Sequence, residues 1–185
     1  MKAVIFVKQS ERLPGKHLMT ICGQPMIKRI YDALDQTGLF EETVIYSKYP
    51  NLVVDGCKIE RDNTEGTLLD SILEAILKYG EFLAVGGDLP LLNREIIFNI
   101  VIKYHKVPVV AIDKDGTVEP LFAIYNDSVY NDLLKFSRNS KKIFEFVDKR
   151  FQHIILNEEF SSRLLNVNTI DDLYTARKMG GCSDE

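Results

Sequence analysis

Short apolar runs alternate along this chain with stretches in which apolar residues recur at helical spacing. Lys2–Val7 reads as a first strand, with Ala3-Val4-Ile5-Phe6-Val7 as a buried run. Val44–Ser47, Phe82–Val85, Val107–Ile112, Leu121–Tyr125 and Gln152–Leu156 read as further strands. Met26–Gln36 reads as a helix, with Pro25 at its first turn and Gly38 just past its end. Leu68–Lys78 carries apolar residues at 68, 69, 72, 73, 76 and 77, one helical stripe, and Gly80 closes it. Arg94–Lys103 presents Ile96, Ile97, Ile100 and Val101 on one face behind Asn93 as N-cap. Asp115-Gly116 marks a turn between the strands ending at Ile112 and beginning at Leu121, so this pair reads as a hairpin or as neighbouring strands. Two short helices precede Gln152, and a last helix opens at Thr169. There Thr169-Ile170-Asp171-Asp172 is a capping box with Asp in the Glu position.

Buried strands alternating with amphipathic helices predict an α/β fold: one domain over residues 1–185, a mostly parallel sheet with helices on both faces, and one antiparallel strand. Ligands in such sheets sit at the carboxyl ends of the strands. That rule gathers three segments on one rim: 8–16 after the first strand, 86–88 after the third, and 166–168 before the last helix.

Composition narrows the partners. A net charge of −4 argues against general nucleic-acid binding, which wants a basic excess, and leaves room for a small phosphorylated ligand. No apolar run approaches a membrane span. Cys22, Cys57 and Cys182 form no C-x-x-C pair, and no signal-peptide pattern is present, so the expectation is reduced, inert thiols in a cytoplasm. His17, His105 and His153 show no metal-ligand spacing, which argues against zinc.

Candidate chemistry lies on the predicted rim. Arg12 and Lys16 flank Pro14-Gly15 directly after the first strand; the guanidinium suits bidentate phosphate contacts, the ammonium supplies a mobile point charge, and Lys8 adds a third cation. Asp88, in Gly86-Gly87-Asp88-Leu89-Pro90, is a carboxylate at the end of an apolar strand; it reads either as a turn cap or as a Mg²⁺ ligand bridging triphosphate oxygens. Asn166 and Asn168 share one side of an extended segment and read equally as caps or as site amides that hold an acceptor or complete a metal shell, while Thr169 reads as the cap itself. Glu119 leads an apolar strand, as a plain polar strand start or as a residue facing an acceptor.

Gly87-Asp88-Leu89-Pro90-Leu91-Leu92, Glu119-Pro120-Leu121-Phe122-Ala123-Ile124-Tyr125 and Asn166-Val167-Asn168-Thr169-Ile170-Asp171-Asp172-Leu173 resemble three successive motifs of the molybdenum cofactor guanylyltransferases. The resemblance implies a Rossmann-like nucleotidyltransferase fold, and transfer of a nucleoside monophosphate from a triphosphate (GTP favoured over CTP) to a phosphorylated pterin with release of pyrophosphate. It implies Asp88 as the Mg²⁺ ligand, Lys16 as the triphosphate lysine, Asn166 and Asn168 near the acceptor, and Gly66 and Thr67 near the base. The family's first loop begins Leu-Ala-Gly-Gly where this chain has Ile5-Phe6-Val7-Lys8. Ser10-x-Arg12-Leu13-Pro14-Gly15-Lys16-x-Leu18 instead resembles the sugar-activating cytidylyltransferases, and places Ser10 among the nucleotide contacts. Cobinamide-phosphate and phospholactate guanylyltransferases stand as alternatives within the class. A nucleotide-sugar glycosyltransferase and a non-catalytic nucleotide-binding module stand outside it. The glycosyltransferase would want an Asp-x-Asp metal pair, and Gly86–Pro90 offers a single carboxylate.

Overall fold

A computed structural model describes residues 1–182. Its centre is a seven-stranded sheet in the order β5-β4-β1-β6-β8-β7-β9. The strands are β1 (Lys2–Val7), β4 (Thr43–Ser47), β5 (Ile59–Arg61), β6 (Phe82–Gly86), β7 (Val109–Ile112), β8 (Val118–Tyr125) and β9 (Gln152–Ile155). β1 pairs in parallel with β4 and β6 on either side; β8 alone runs antiparallel, between β6 and β7. The predicted turn at Asp113–Thr117 makes β7 and β8 a hairpin, whose register shifts between Val110 and Ala111. The apolar runs predicted as strands are thus the sheet's interior. Val107, however, is half exposed and lies outside it, since Pro108 precedes the first ladder residue and offers no N–H.

Alternation along the strands feeds two cores. Ala3, Ile5 and Val7 point to one face, beneath α1 (Met26–Asp35), α3 (Arg94–Ile102) and α7 (Ile170–Met179), which contribute Ile27, Ile30, Ile97, Ile100 and Leu173. Val4 and Phe6 point to the other, beneath α2 (Leu68–Tyr79), α4 (Tyr130–Ser137) and α5 (Ile143–Arg150), which contribute Leu69, Ile72, Leu133, Phe146 and Val147. The predicted caps are formed. Asn93 Oδ1 accepts from Ile96 N at 3.1 Å. Asp172 Oδ2 accepts from Thr169 N at 2.8 Å while Thr169 Oγ1 accepts from Asp172 N at 3.2 Å, closing the reciprocal box.

Four short elements escaped the periodicity. The two-residue strands β2 (Thr20–Ile21) and β3 (Gln24–Pro25) make a small hairpin; β5 is a short polar edge strand; α6 (Glu158–Ser162) is little more than one turn. Each is too short to show a period. One expectation is overturned. Cys22 and Cys182 are joined in a disulfide, and only Cys57 remains a free thiol. Their 160-residue separation hides the pair in sequence, but α7 returns across the β2–β3 hairpin and brings the two Cα atoms to 4.8 Å.

Candidate functional site

The carboxyl ends of β1, β4, β5 and β6 open into one cleft of about 500 Å³. The parallel ladder steps across its floor: Lys48 N donates to Val7 O and Asp62 N to Ser47 O, each at 2.9 Å, while Gly87 N donates to Phe6 O at 3.0 Å. Gly87 is there because nothing larger fits. A Cβ at this position would stand 2.8 Å from Val7 Cγ2 and 3.1 Å from Phe6 O.

One wall is organised by Lys16. Its residue is 4% exposed, and Nζ donates to Asp88 Oδ2 at 2.9 Å, to Val167 O at 2.7 Å and to Asn168 Oδ1 at 2.9 Å. The ammonium's three protons are therefore all directed. Lys16 is not the mobile charge that its loop position suggests: the Gly15 turn, at φ +72°, and the short 3₁₀ segment Lys16–Leu18 carry it inward. It ties together residues 72 and 152 positions away, and so joins all three rim segments. Val167 N donates to Asp88 O at 2.9 Å, which fixes the segment before α7 against the end of β6. Next to Lys16, His17 is 4% exposed and its pKa falls from 6.5 to about 4, first through burial and then through the Lys16 charge, with Asp88 opposing.

The opposite wall is a network that sequence reading missed. Asp62 Oδ1 accepts from Thr64 N (2.9 Å) and Thr64 Oγ1 (2.7 Å), and Oδ2 accepts from Ser71 Oγ (2.6 Å). Lys48 Nζ lies 3.4 Å from Asp62 Oδ2 and donates to Thr64 Oγ1 at 2.6 Å. Burial alone raises the Asp62 pKa, but the Ser71 and Thr64 hydrogen bonds and the Lys48 charge hold it below the usual carboxylate value. This network sets the loop entering α2, where Gly66 and Thr67 line the cleft. Gly66 has no room for a side chain, since a Cβ would meet Asp70 Oδ2 at 2.2 Å, and Asp70 is occupied capping Thr67 N at 2.7 Å. Lys48 was legible, because it directly follows a strand at the same rim. Asp62 was not, because the strand before it is Ile59-Glu60-Arg61.

Of the predicted site residues, Lys8, Ser10, Arg12, Lys16, Gly66, Thr67, Asp88 and Asn168 all line this cleft. Lys8 and Arg12 are exposed at its mouth, and Ser10 Oγ accepts from Leu13 N at 3.2 Å, shaping the turn between them. Glu119 and Asn166 are not in the lining; they face each other, with Asn166 Nδ2 donating to Glu119 Oε2 at 3.0 Å. Alternation does put 166 and 168 on one rim, but their amides serve different partners. Among the described residues no group of three or more His, Cys, Asp or Glu side chains forms a metal cage.

The profile of the MobA-like NTP transferase domain matches residues 9–154, most of the chain. The chain belongs to this family. A probable molybdenum cofactor guanylyltransferase of Natranaerobius thermophilus is 25% identical over 208 residues, covering 98% of this MobA-like chain and 97% of the relative. A 3-deoxy-manno-octulosonate cytidylyltransferase of Synechococcus elongatus is 29% identical over 105 residues, 51% of this chain and 42% of that protein. In fold, the chain is similar to the molybdopterin-guanine dinucleotide biosynthesis protein A of Archaeoglobus fulgidus, with TM-score 0.70, 21% identity and coverage of 98% and 99%. This MobA-like chain is therefore a nucleotidyltransferase-family protein with a mostly parallel, Rossmann-like sheet. No helix among its described residues is long and apolar enough to cross a membrane.

Proposed function

We propose that this protein transfers a nucleoside monophosphate, from GTP in preference to CTP, to a phosphorylated acceptor of the molybdopterin kind and releases pyrophosphate. The observation that carries the reading is the Lys16–Asp88–Asn168 junction at the cleft wall, below a mouth lined by Lys8 and Arg12. The near full-length likeness to a guanylyltransferase supports the substrate class.

The donor set suits Mg²⁺. One partly exposed carboxylate, Asp88, stands beside the Asn168 amide oxygen and an open cleft, and Mg²⁺ uses one or two carboxylates with substrate phosphates. Asp88 would hold the ion, with Asn168 Oδ1, which shares the Lys16 ammonium with it, as a second oxygen; once bound, the ion would neutralise triphosphate charge and polarise the phosphorus. Lys16 reaches a β- or γ-phosphate oxygen by exchanging one of its three acceptors, so an incoming anion replaces a contact instead of meeting a bare charge. Arg12 and Lys8 hold the outer phosphates from the mouth. An acceptor phosphate oxygen attacks the α-phosphorus, the bond to the bridging oxygen breaks, and pyrophosphate departs. No protein nucleophile takes part; the chain contributes orientation and fixed charge. Gly66 and Thr67 serve the base.

The test is pyrophosphate release with Mg²⁺ and each of four triphosphates, with a phosphorylated pterin or a sugar acid as acceptor in separate arms, and with the product identified by mass. A guanylylated product supports the reading. Release only with CTP and a sugar acid would favour the second reading, a cytidylyltransferase, for which the Ser10–Leu18 loop and the cytidylyltransferase relative speak. Binding without turnover across all acceptors would favour a nucleotide-binding module.

A further inference from the structure

Glu119 is the least expected charge in the molecule. Its residue is half-buried, yet its carboxyl group is desolvated, on β8 beside an apolar run, and it feels Asp88 as a like charge. A carboxylate in such a place is costly unless its oxygens are satisfied. They are: Oε2 accepts from Asn166 Nδ2 at 3.0 Å and Oε1 from Leu121 N at 3.1 Å. Both partners are protein groups, and Glu119 does not line the cleft.

Asn166 begins the segment that holds Lys16. The next residue, Val167, donates its N–H to Asp88 O at 2.9 Å and accepts from Lys16 Nζ at 2.7 Å. Asn168 accepts from Lys16 at 2.9 Å and donates its N–H to Asp172 Oδ2 at 3.0 Å. Three consecutive residues are thus stitched to β8, to the end of β6, to Lys16 and to α7. An extended segment that slips by one residue turns every side chain to the other face. Asp172 fixes its far end; at its near end the Asn166 amide donates to Glu119 Oε2 at 3.0 Å, with a longer contact to Leu164 O at 3.4 Å inside its own loop, so Glu119 is the partner that ties this side chain to the sheet.

We infer that Glu119 is a positioning residue: by holding the Asn166 amide it sets the register of Asn166–Asn168, and through it the buried placement of Lys16 against Asp88. It touches no substrate. Its functional consequence rests on the nucleotidyltransferase reading; its structural consequence does not.

Both can be measured. The rate at which an amine-acylating reagent labels Lys16, followed by peptide mass spectrometry without ligand and normalised to exposed Lys58, reports burial of the ammonium. Glu119→Leu and Asn166→Ala are each expected to raise that rate at least several-fold. Glu119→Gln keeps one side-chain carbonyl for Asn166 and gives up the Leu121 N–H bond, which lies within its own strand; it is expected to stay much closer to wild type than Glu119→Leu, whereas a merely volume-filling role would be met as well by Leu. The ratio of dissociation constants for GMP and GTP is expected to fall by a similar factor in the first two variants and to hold in Glu119→Gln. Should Glu119→Leu fail to fold, Asn166→Ala removes the same bond from the other side. Unchanged Lys16 labelling in Asn166→Ala overturns the inference. A wild-type protein that binds GTP no better than GMP would instead count against the nucleotide reading, with the labelling result still deciding the role of Glu119.

Discussion

Asp88→Asn is expected to destabilise the fold more than Lys16→Met, although Lys16 makes more contacts. The ion pair is lopsided: the Lys16 side chain is 5% exposed and that of Asp88 is 25% exposed. Asp88→Asn strands a buried ammonium among neutral acceptors. Removing one partner of a buried pair costs roughly 3–5 kcal/mol, and the two acceptors that remain, Val167 O and Asn168 Oδ1, place this case near the lower end, about 3 kcal/mol. Lys16→Met keeps the apolar stem and removes the charge. Asp88 then turns to water, and two acceptors lose a donor at about 1 kcal/mol each, so the loss is about 2 kcal/mol. The double variant has no charge left to strand, and should lose about 2 kcal/mol, not the sum of roughly 5; the coupling near 3 kcal/mol is what a direct contact permits. Urea denaturation of the four proteins at neutral pH measures this. Additive losses, or a Lys16→Met variant at least about 1 kcal/mol less stable than Asp88→Asn, would refute the account of which charge the fold protects. On the proposed function both single variants should be severely impaired in turnover, Asp88→Asn through loss of the anionic group proposed to hold Mg²⁺ and Lys16→Met through loss of the proposed triphosphate contact.

Other outcomes follow from single contacts. Because His17 is depressed from 6.5 to about 4, only the unfolded chain takes up its proton between those values; stability is fully present above the unfolded value and lost as pH falls through the window, by at most about 3 kcal/mol, and His17→Gln should flatten that slope in melts from pH 4 to 7. Gly87→Ala forces Val7 and the Phe6 carbonyl aside and should cost about 1–3 kcal/mol, lowering Tm by several degrees; an unchanged Tm would show that the rim yields. Cys22→Ser releases a 160-residue cross-link whose chain entropy is worth at most roughly 5 kcal/mol, so oxidised wild type should melt well above both the variant and the reduced protein, and coincident melts would count against the bridge. GTP and CTP are expected to bind within about tenfold, about 1.4 kcal/mol, since Ile5–Lys8 lacks the glycines that would let the backbone close on a purine; a much larger measured ratio would place discrimination in the Thr64–Leu68 wall.

What the chain's pattern revealed, and what it hid, divides by the range of the cause. β1, α2, α3, β6 and the α7 capping box each follow from neighbours within a few residues, and the structure places them within one or two positions of the expected bounds. β5 does not follow from its own residues: Ile59-Glu60-Arg61 is a strand because β4 offers it a parallel partner from Ile45 to Ser47. The Cys22–Cys182 bridge is a product of where α7 ends, and cysteine spacing carries no trace of that. Site residues behave the same way. The carboxyl-end rule found Lys16, Asp88 and Asn168 because topology places strand ends together whatever the side chains do, and it would have found Lys48 if applied to β4.

The rule could not say what each side chain does on arrival. Asn166 and Asn168 have the same chemistry, two positions apart on one extended segment, yet one amide goes to Glu119 and the other to Lys16. The difference comes from the antiparallel strand β8, which enters between β6 and β7 and brings Glu119 up beside the segment's near end. In a wholly parallel sheet the start of that strand would lie at the opposite edge from the cleft. Reversing it puts a strand start, and a polar residue natural to strand starts, at the rim where the other strands finish. The same inversion that breaks the parallel pattern therefore supplies the hydrogen-bond acceptor that braces Lys16 through Asn166.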